Sequence, residues 1–206
     1  MAERRHSEGV VWEREALTRE ERYELLGQRG ATVWFTGLPA SGKSTVAANL
    51  TVALVRRGIP AYRLDGDNLR HGLNGDLGFD HASREENIRR AAEVARLMAD
   101  AGLVTIVSLV SPYRANRAAA RAIHEDDGIP FVEVWVSTPL EECERRDPKG
   151  LYARARRGEL PNMTGVGDPY EEPESPEVEI GMDCDVPTAI ERLIACLAKQ
   201  NVGARA

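Results

Sequence analysis

The chain has 206 residues, 42% of them hydrophobic, which is enough to bury one core of ordinary domain size. Its formal net charge of −6 argues against broad electrostatic attachment to nucleic acid or to an acidic membrane surface. Cys143, Cys184 and Cys196 show neither C-x-x-C nor Cys/His spacing, and no run approaches transmembrane length, so a disulfide framework, a zinc site and a membrane span are set aside.

The N-terminus lacks an apolar signal region, and a reducing cytoplasm is the expected location. The first ten residues read as a polar, flexible lead-in. Thr18 and Glu21 fit a capping box that opens a short helix ending near Gly27 or Gly30. An apolar β-type run over 31–36 then leads into G-L-P-A-S-G-K-S-T at 37–45, a full G-x-x-x-x-G-K-[ST] phosphate-binding loop. An amphipathic helix over 43–57 leads out of it. Gly37 and Gly42 let the backbone approach phosphate oxygens, and the helix adds its positive N-terminal end. Lys43 supplies a point charge to the β/γ-phosphates and the Ser44 hydroxyl a Mg²⁺ ligand, while Ala40, Ser41 and Thr45 complete the ATP-binding loop.

A second β-type run at 61–65 is followed at once by Asp65-Gly-Asp67-Asn68-Leu-Arg70. Ligands of an open α/β sheet sit beyond the carboxyl ends of its strands, so two carboxylates here can hold Mg²⁺ and accept a proton from a substrate hydroxyl. Which of Asp65 and Asp67 does which is left open. Arg70, Arg84, Asn87 and Arg90 lie on or near the start of the next helix, expected over 83–101 with Ser83 and Glu86 as its capping box. Together they suit a phosphate- or sulfate-bearing acceptor, and Phe79 could stack on a base.

The strand at 103–109 ends in Ser108-Leu-Val110-Ser111-Pro112, with Ser111 placed to cap a helix over 113–126. No aspartate ends this strand, which leaves Mg²⁺ coordination to Ser44 and the Asp65/Asp67 pair. No guanine-reading motif appears, so ATP is favoured over GTP. A strand at 131–136 precedes a charged, Gly- and Pro-rich stretch at 145–176, read as a mobile lid with one short helical piece near 150–157. A strand at 178–182 and a helix at 187–199 close the pattern. The alternation predicts a single α/β domain over 1–206. Its fold is a three-layer P-loop kinase fold, with a mostly parallel five-stranded sheet, helices on both faces and a lid.

The residues resemble one family in particular, adenylyl-sulfate kinase. The matching stretches are G-L-P-A-S-G-K-S-T, D-G-D-N-L-R-H-G-L-N-G-D-L-G-F, R-E-E-N-I-R-R, S-P-Y-R, R-D-P-K-G-L-Y-A-R-A-R and P-Y-E-x-P, within a similarity that spans about residues 11–185. The resemblance implies transfer of phosphate from ATP to the ribose 3′-hydroxyl of adenosine 5′-phosphosulfate (APS), giving ADP and 3′-phosphoadenosine 5′-phosphosulfate in sulfate activation. It also implies that Asp65 orients or deprotonates the hydroxyl with Asp67 nearby, that Arg70, Arg84 and Asn87 hold the phosphosulfate and ribose, and that Phe79 packs on the adenine. Asn68, Arg90 and Val110 join the acceptor-binding set by the same resemblance, and Lys149, Gly150 and Leu151 belong to the lid. Ser111 matches the serine that the family assigns as a phosphorylated intermediate. In-line transfer between two bound nucleotides needs no such relay. A homodimer, and non-covalent association with the sulfurylase that makes APS, are further implications.

The chain departs from the family pattern at several positions. Pro39 and Ala40 replace a frequent Ser-Gly in the loop, and Met163 stands where an aromatic usually sandwiches the acceptor adenine. Met182-Asp183 stands where a threonine is usual, and Glu13 where a histidine often follows the tryptophan. Two rivals share part of the pattern. Another small-molecule kinase on this scaffold would not need a stacking aromatic with so many arginines. A non-catalytic nucleotide-binding module would be expected to have lost Lys43, Ser44 or Asp65.

Overall fold

The computed structural model describes residues 9–11, 13 and 15–203, so the expected flexible lead-in lies mostly outside the described residues. Five strands, β1 (Ala31–Thr36), β2 (Ala61–Asp65), β3 (Val104–Ser108), β4 (Phe131–Val136) and β5 (Val178–Ile180), form one sheet in the order β2-β3-β1-β4-β5. Every pairing is parallel, with Val33 opposite both Ile106 of β3 and Val132 of β4. All six β1 residues are buried, as a central strand covered on both faces requires.

Because side chains alternate along a strand, β1 feeds two cores. Val33 and Phe35 face α2 (Lys43–Arg56) and α8 (Val186–Lys199), where Leu50, Leu54, Ile190 and Leu193 close the layer. Trp34 faces the other way, into Ile88, Ala91, Ala92 and Ala95 of α4 (His81–Asp100) and Ala120 of α5 (Arg114–Glu125). The run of alanines on α4 lets that helix approach the sheet closely. A third, smaller cluster joins Cys143 of α6 (Leu140–Arg146), Tyr152 and Ala155 of α7 (Leu151–Arg156), and Met163, against Leu38 and Ala40 of the phosphate loop.

The capping box expected before α1 (Arg19–Leu26) is present: Thr18 Oγ1 accepts from the Glu21 N–H at 3.2 Å, and the Glu21 carboxylate accepts from the Thr18 N–H at 2.8 Å. The box expected at Ser83 and Glu86 is not. Asp80 caps α4 instead, accepting from the Ser83 N–H at 3.0 Å, so the helix starts two residues earlier. Glu86 is drawn to Arg89 and Arg90, at 2.7 Å and 2.8 Å. Ser111 does not cap α5 either. Its φ of +39° is left-handed and the N-cap position belongs to Tyr113, which makes no side-chain cap. The stretch from 145 is more ordered than expected: it begins inside α6, carries α7, and closes with a bridge between Thr164 and Asp168. β5 ends at Ile180 because only Val178–Ile180 find partners on β4.

Candidate active site

The donor side is built by nine consecutive residues. Thr36 ends β1, and the chain turns at Gly37 with φ +148°; a Cβ there would lie 2.7 Å from the Val136 carbonyl oxygen and 3.0 Å from Ser41 Oγ. Gly42, at φ +105°, begins α2 and needs the same freedom. Ala40 holds φ +62°, so the residue standing in place of a frequent glycine is left-handed at a cost of roughly 1 kcal/mol. Lys43 is buried, and its ammonium donates to the Leu38 carbonyl at 2.6 Å and to Ser41 Oγ at 3.3 Å, which curls the loop back on its own lysine. Burial lowers its pKa to about 8. The loop is anchored from outside as well: Thr138 Oγ1 donates to the Ser41 carbonyl at 2.8 Å, and Tyr152 Oη to the Pro39 carbonyl at 3.0 Å.

Asp65 and Ser44 come together through two neighbours. Arg63 Nη1 lies 3.3 Å from the Ser44 carbonyl and 3.2 Å from Asp65 Oδ2. Ser108, opposite Asp65 in the sheet register, brings its hydroxyl to 3.4 Å from Ser44 Oγ. The other Asp65 oxygen accepts from the Asp67 N–H at 3.1 Å, which caps the short helix α3 (Gly66–Leu69) and fixes the carboxylate. Asp67 itself is more exposed and pairs with Lys149. Sequence reading missed Arg63 and gave Ser108 no role. Ser108 was findable, since it ends β3 on the ligand side.

On the acceptor side, the Arg70 guanidinium stacks 4.1 Å over the Phe79 ring while donating to the Leu77 and Gly78 carbonyls. Phe79 is exposed, so one ring face is spoken for and the rest is open to a planar ligand. Arg84 spans from α4 to the opposite wall, donating to the Phe79 carbonyl at 2.9 Å, to Thr164 Oγ1 at 2.9 Å and to the Asn162 carbonyl. Asn87 is buried and accepts from Asn74 Nδ2 at 3.0 Å. Arg90 is engaged elsewhere, with the Asp76 carboxylate, Glu86 and the Leu73 carbonyl. Met163 packs among Cys143, Tyr152 and Ala155, a core position. Gly150 begins α7 at φ +64°, placing Lys149 before the helix and Leu151 against the small cluster. Asn68 lies within α3.

Val110 and Ser111 form the turn between β3 and α5. Ser111 is 3% exposed; its hydroxyl accepts from the Trp34 indole N–H at 3.1 Å, and its carbonyl accepts from Arg117 Nη1 at 2.7 Å and Thr36 Oγ1 at 3.2 Å. Thr36 also donates to the Val110 carbonyl at 2.8 Å. The last residue before the phosphate loop is thereby tied to the acceptor-side turn.

A parallel β2-β3-β1-β4-β5 sheet, a phosphate loop between its central strand and α2, and a fixed acid at the end of β2 define a P-loop phosphotransferase. Residues 29–181 match the family model described as Adenylylsulphate kinase, and the chain belongs to that family. It is 52% identical over 193 residues to the adenylyl-sulfate kinase of Emericella nidulans, covering 90% of this chain and 94% of that one. It is equally, 52%, identical over 197 residues to the adenylyl-sulfate kinase of Citrobacter koseri, covering 96% and 97%. Among solved structures it resembles the Mycobacterium tuberculosis APS kinase CysC in complex with AMPPNP and APS, with a TM-score of 0.81 and 51% identity over 83% of this chain and 99% of that one.

Proposed function

We propose that this chain transfers the γ-phosphoryl group of ATP to the ribose 3′-hydroxyl of APS, forming ADP and 3′-phosphoadenosine 5′-phosphosulfate. The observation that carries this reading is one cleft-side arrangement. A phosphate loop and a fixed carboxylate stand beside a stacked Arg70–Phe79 pair and Arg84, in a chain 51% identical to a kinase solved with AMPPNP and APS. ATP occupies the loop Gly37–Thr45, where Lys43 offsets charge on the β/γ-phosphates as the bond to the leaving oxygen breaks. Asp65, fixed by Arg63 and the Asp67 N–H, receives the proton of the attacking 3′-hydroxyl.

Phe79 supports the APS adenine, with Met163 contributing no more than the apolar floor of the lid. Arg70, Arg84 and Asn87, with Asn68 and Lys149, face its phosphosulfate and ribose. Arg90 contributes through Asp76 and Glu86, shaping the loop after α3. Val110 and Ser111 form the wall; the Ser111 hydroxyl, buried against Trp34, serves as a structural acceptor and carries no phosphate.

Ser44 suits Mg²⁺ as a direct ligand and Asp65 through a bridging water, which leaves the Asp65 carboxylate able to receive the proton. The Ser44 hydroxyl has Ser108 Oγ at 3.4 Å, the Ser44 backbone carbonyl shares Arg63 with the Asp65 carboxylate, and a Mg²⁺–nucleotide needs only one or two protein ligands. When bound there, Mg²⁺ neutralises charge on the β- and γ-phosphate oxygens. We further read 1–206 as one catalytic unit with 145–176 as its lid, tied across the site by Lys149–Asp67 and by Arg84 to Thr164. No helix among the described residues is long and apolar enough to cross a membrane, and the three cysteines are free, which supports a cytoplasmic setting. The homodimer that the family resemblance implies would be tested by sedimentation, and association with the sulfurylase by a pull-down.

The deciding experiment is ADP release from MgATP with APS, beside AMP, shikimate and gluconate as acceptors. Turnover with APS alone, lowered by about 10²-fold or more in Lys43→Ala and Asp65→Ala, is the expected result. Nucleotide binding with no turnover on any acceptor contradicts the assignment.

A further inference from the structure

The P-Y-E-x-P motif at Pro169–Pro173 takes no part in the chemistry above, yet its Tyr170 reaches the end of β1 and its Glu171 reaches the turn that walls the acceptor. Tyr170 Oη lies 3.0 Å from Thr36 Oγ1. The Glu171 N–H donates to the Pro112 carbonyl at 2.8 Å, and the Glu171 carbonyl accepts from Arg117 Nη2 at 2.7 Å. The Glu171 carboxylate accepts from the Arg114 N–H at 2.7 Å, across a separation of 57 residues. Arg114 is the first residue of α5, and Tyr113 before it supplies no side-chain cap. Glu171 is thus the missing N-cap, delivered from a distant segment.

That cap acts next to a strained turn. Ser111, at φ +39°, is a non-glycine residue in the left-handed region, held by donors from Trp34, Thr36 and Arg117. Packing holds the motif only in part: Pro173 is buried and Tyr170 half-buried under the Arg117 guanidinium, while Glu171 and Glu172 are exposed. A cleft of about 710 Å³, lined among others by Trp135, Tyr170, Glu172 and Glu179, opens on its far side. At Glu171 itself, polar bonds rather than burial set the position of the segment. Asp168, just before it, accepts from Tyr113 Oη at 2.6 Å and lies 4.0 Å from Arg84, extending the same tie to an acceptor-side arginine.

We propose that Glu171 is a positioning residue for the acceptor: by capping α5 from outside, it fixes the Val110–Tyr113 turn against which APS is held, while the ATP loop keeps its separate anchors in Lys43, Thr138 and Tyr152. The inference rests on the proposed reaction. Because Glu171 is exposed, its substitution spares the core.

Glu171→Ala is expected to raise KM for APS about fivefold, the loss of one N-cap expressed at the turn, with KM for MgATP within about twofold of the parent. Glu171→Gln, which keeps an acceptor oxygen, should restore most of the loss. Glu174→Ala removes an exposed partner of the Arg114 side chain without touching the helix N-terminus, and should change neither constant. Equal rises in both KM values, or an unchanged KM for APS in Glu171→Ala, overturn the proposal, as does failure of Glu171→Gln to restore it. The parent enzyme measured alongside separates the two readings: no turnover of APS by the parent overturns the reaction, whereas parent turnover indifferent to Glu171→Ala overturns only the clasp.

Discussion

The two halves of the site are made in different ways. The donor half is a single run of nine residues shaped by its own glycines, its own lysine and the helix that follows, with Thr138 and Tyr152 steadying it from outside. The acceptor half is assembled from four separated stretches, around 65–90, 108–117, 149 and 162–171, joined by bonds such as Arg84 to Thr164 across 80 residues and Arg117 to Glu171 across 54. A local cradle suits a ligand part shared by many enzymes, the triphosphate. A pocket stitched together from distant segments can close around one particular acceptor, and it can fail without the donor half failing.

The largest expected effect lies on the donor half. Lys43→Ala should lower kcat by about 10²–10³-fold, since it removes a preorganised charge aimed at the transferring group. Thermal stability should be unchanged or slightly higher, because a buried cation is gone. A kinetic loss explained by unfolding in a melting curve would break the distinction between chemistry and fold. Gly37→Ala should cost roughly 1–3 kcal/mol, because a Cβ 2.7 Å from the Val136 carbonyl forces the loop off the strand end; ATP binding by calorimetry should weaken with it.

Arg84→Lys tests the acceptor half. A point charge cannot serve Phe79, Thr164 and Asn162 together as the guanidinium fork does, so KM for APS should rise roughly tenfold with KM for ATP nearly constant. Parallel changes in both constants would mean that the halves are one mechanical unit.

His124 reports on the core beneath both halves. It is fully buried, with Nε2 2.9 Å from Thr32 Oγ1 and Nδ1 2.7 Å from the Ala120 carbonyl, and burial depresses its pKa to about 4. Between the unfolded value near 6.5 and that value the unfolded chain binds the extra proton. Stability should therefore fall as pH drops from about 6.5 to about 4, by up to roughly 3 kcal/mol, and be level in this respect above pH 7. Denaturant titrations at several pH values, compared with His124→Gln, would show it. The smallest effect concerns Lys43 again. With its pKa near 8 in the free protein, binding of ATP should draw in a fraction of a proton at pH 8, seen as a buffer-dependent heat.

The same contrast explains what the sequence made legible. The phosphate loop, the strand–helix alternation and the acid pair after β2 could be read because each is a contiguous pattern with a local physical cause. The readings at Ser83 and Ser111 went astray for a local reason too. Ser83 and Glu86 match a capping box, yet Asp80, three residues earlier, offers its carboxylate to the Ser83 N–H first. S-P-Y-R looks like a cap followed by proline at the first turn, but Ser111 is left-handed and its hydroxyl is taken by Trp34. Helix α6 was readable from Pro139, the acids Glu141 and Glu142 in its first turn and the arginines Arg145 and Arg146 in its last, and was overlooked between the strand at 131–136 and the Gly- and Pro-rich stretch that begins at 145. The Arg63 bridge, the place of Met163 in the lid cluster and the Glu171 cap had no sequence signature. Each depends on two segments meeting in space, and neither segment announces the other.

The most direct test of the central claim is phosphorus NMR of the product formed from MgATP and APS. A new phosphomonoester on the ribose 3′ position should appear in step with ADP while the phosphosulfate linkage stays intact. Release of inorganic phosphate alone, or phosphate placed on any other atom of the acceptor, would contradict it.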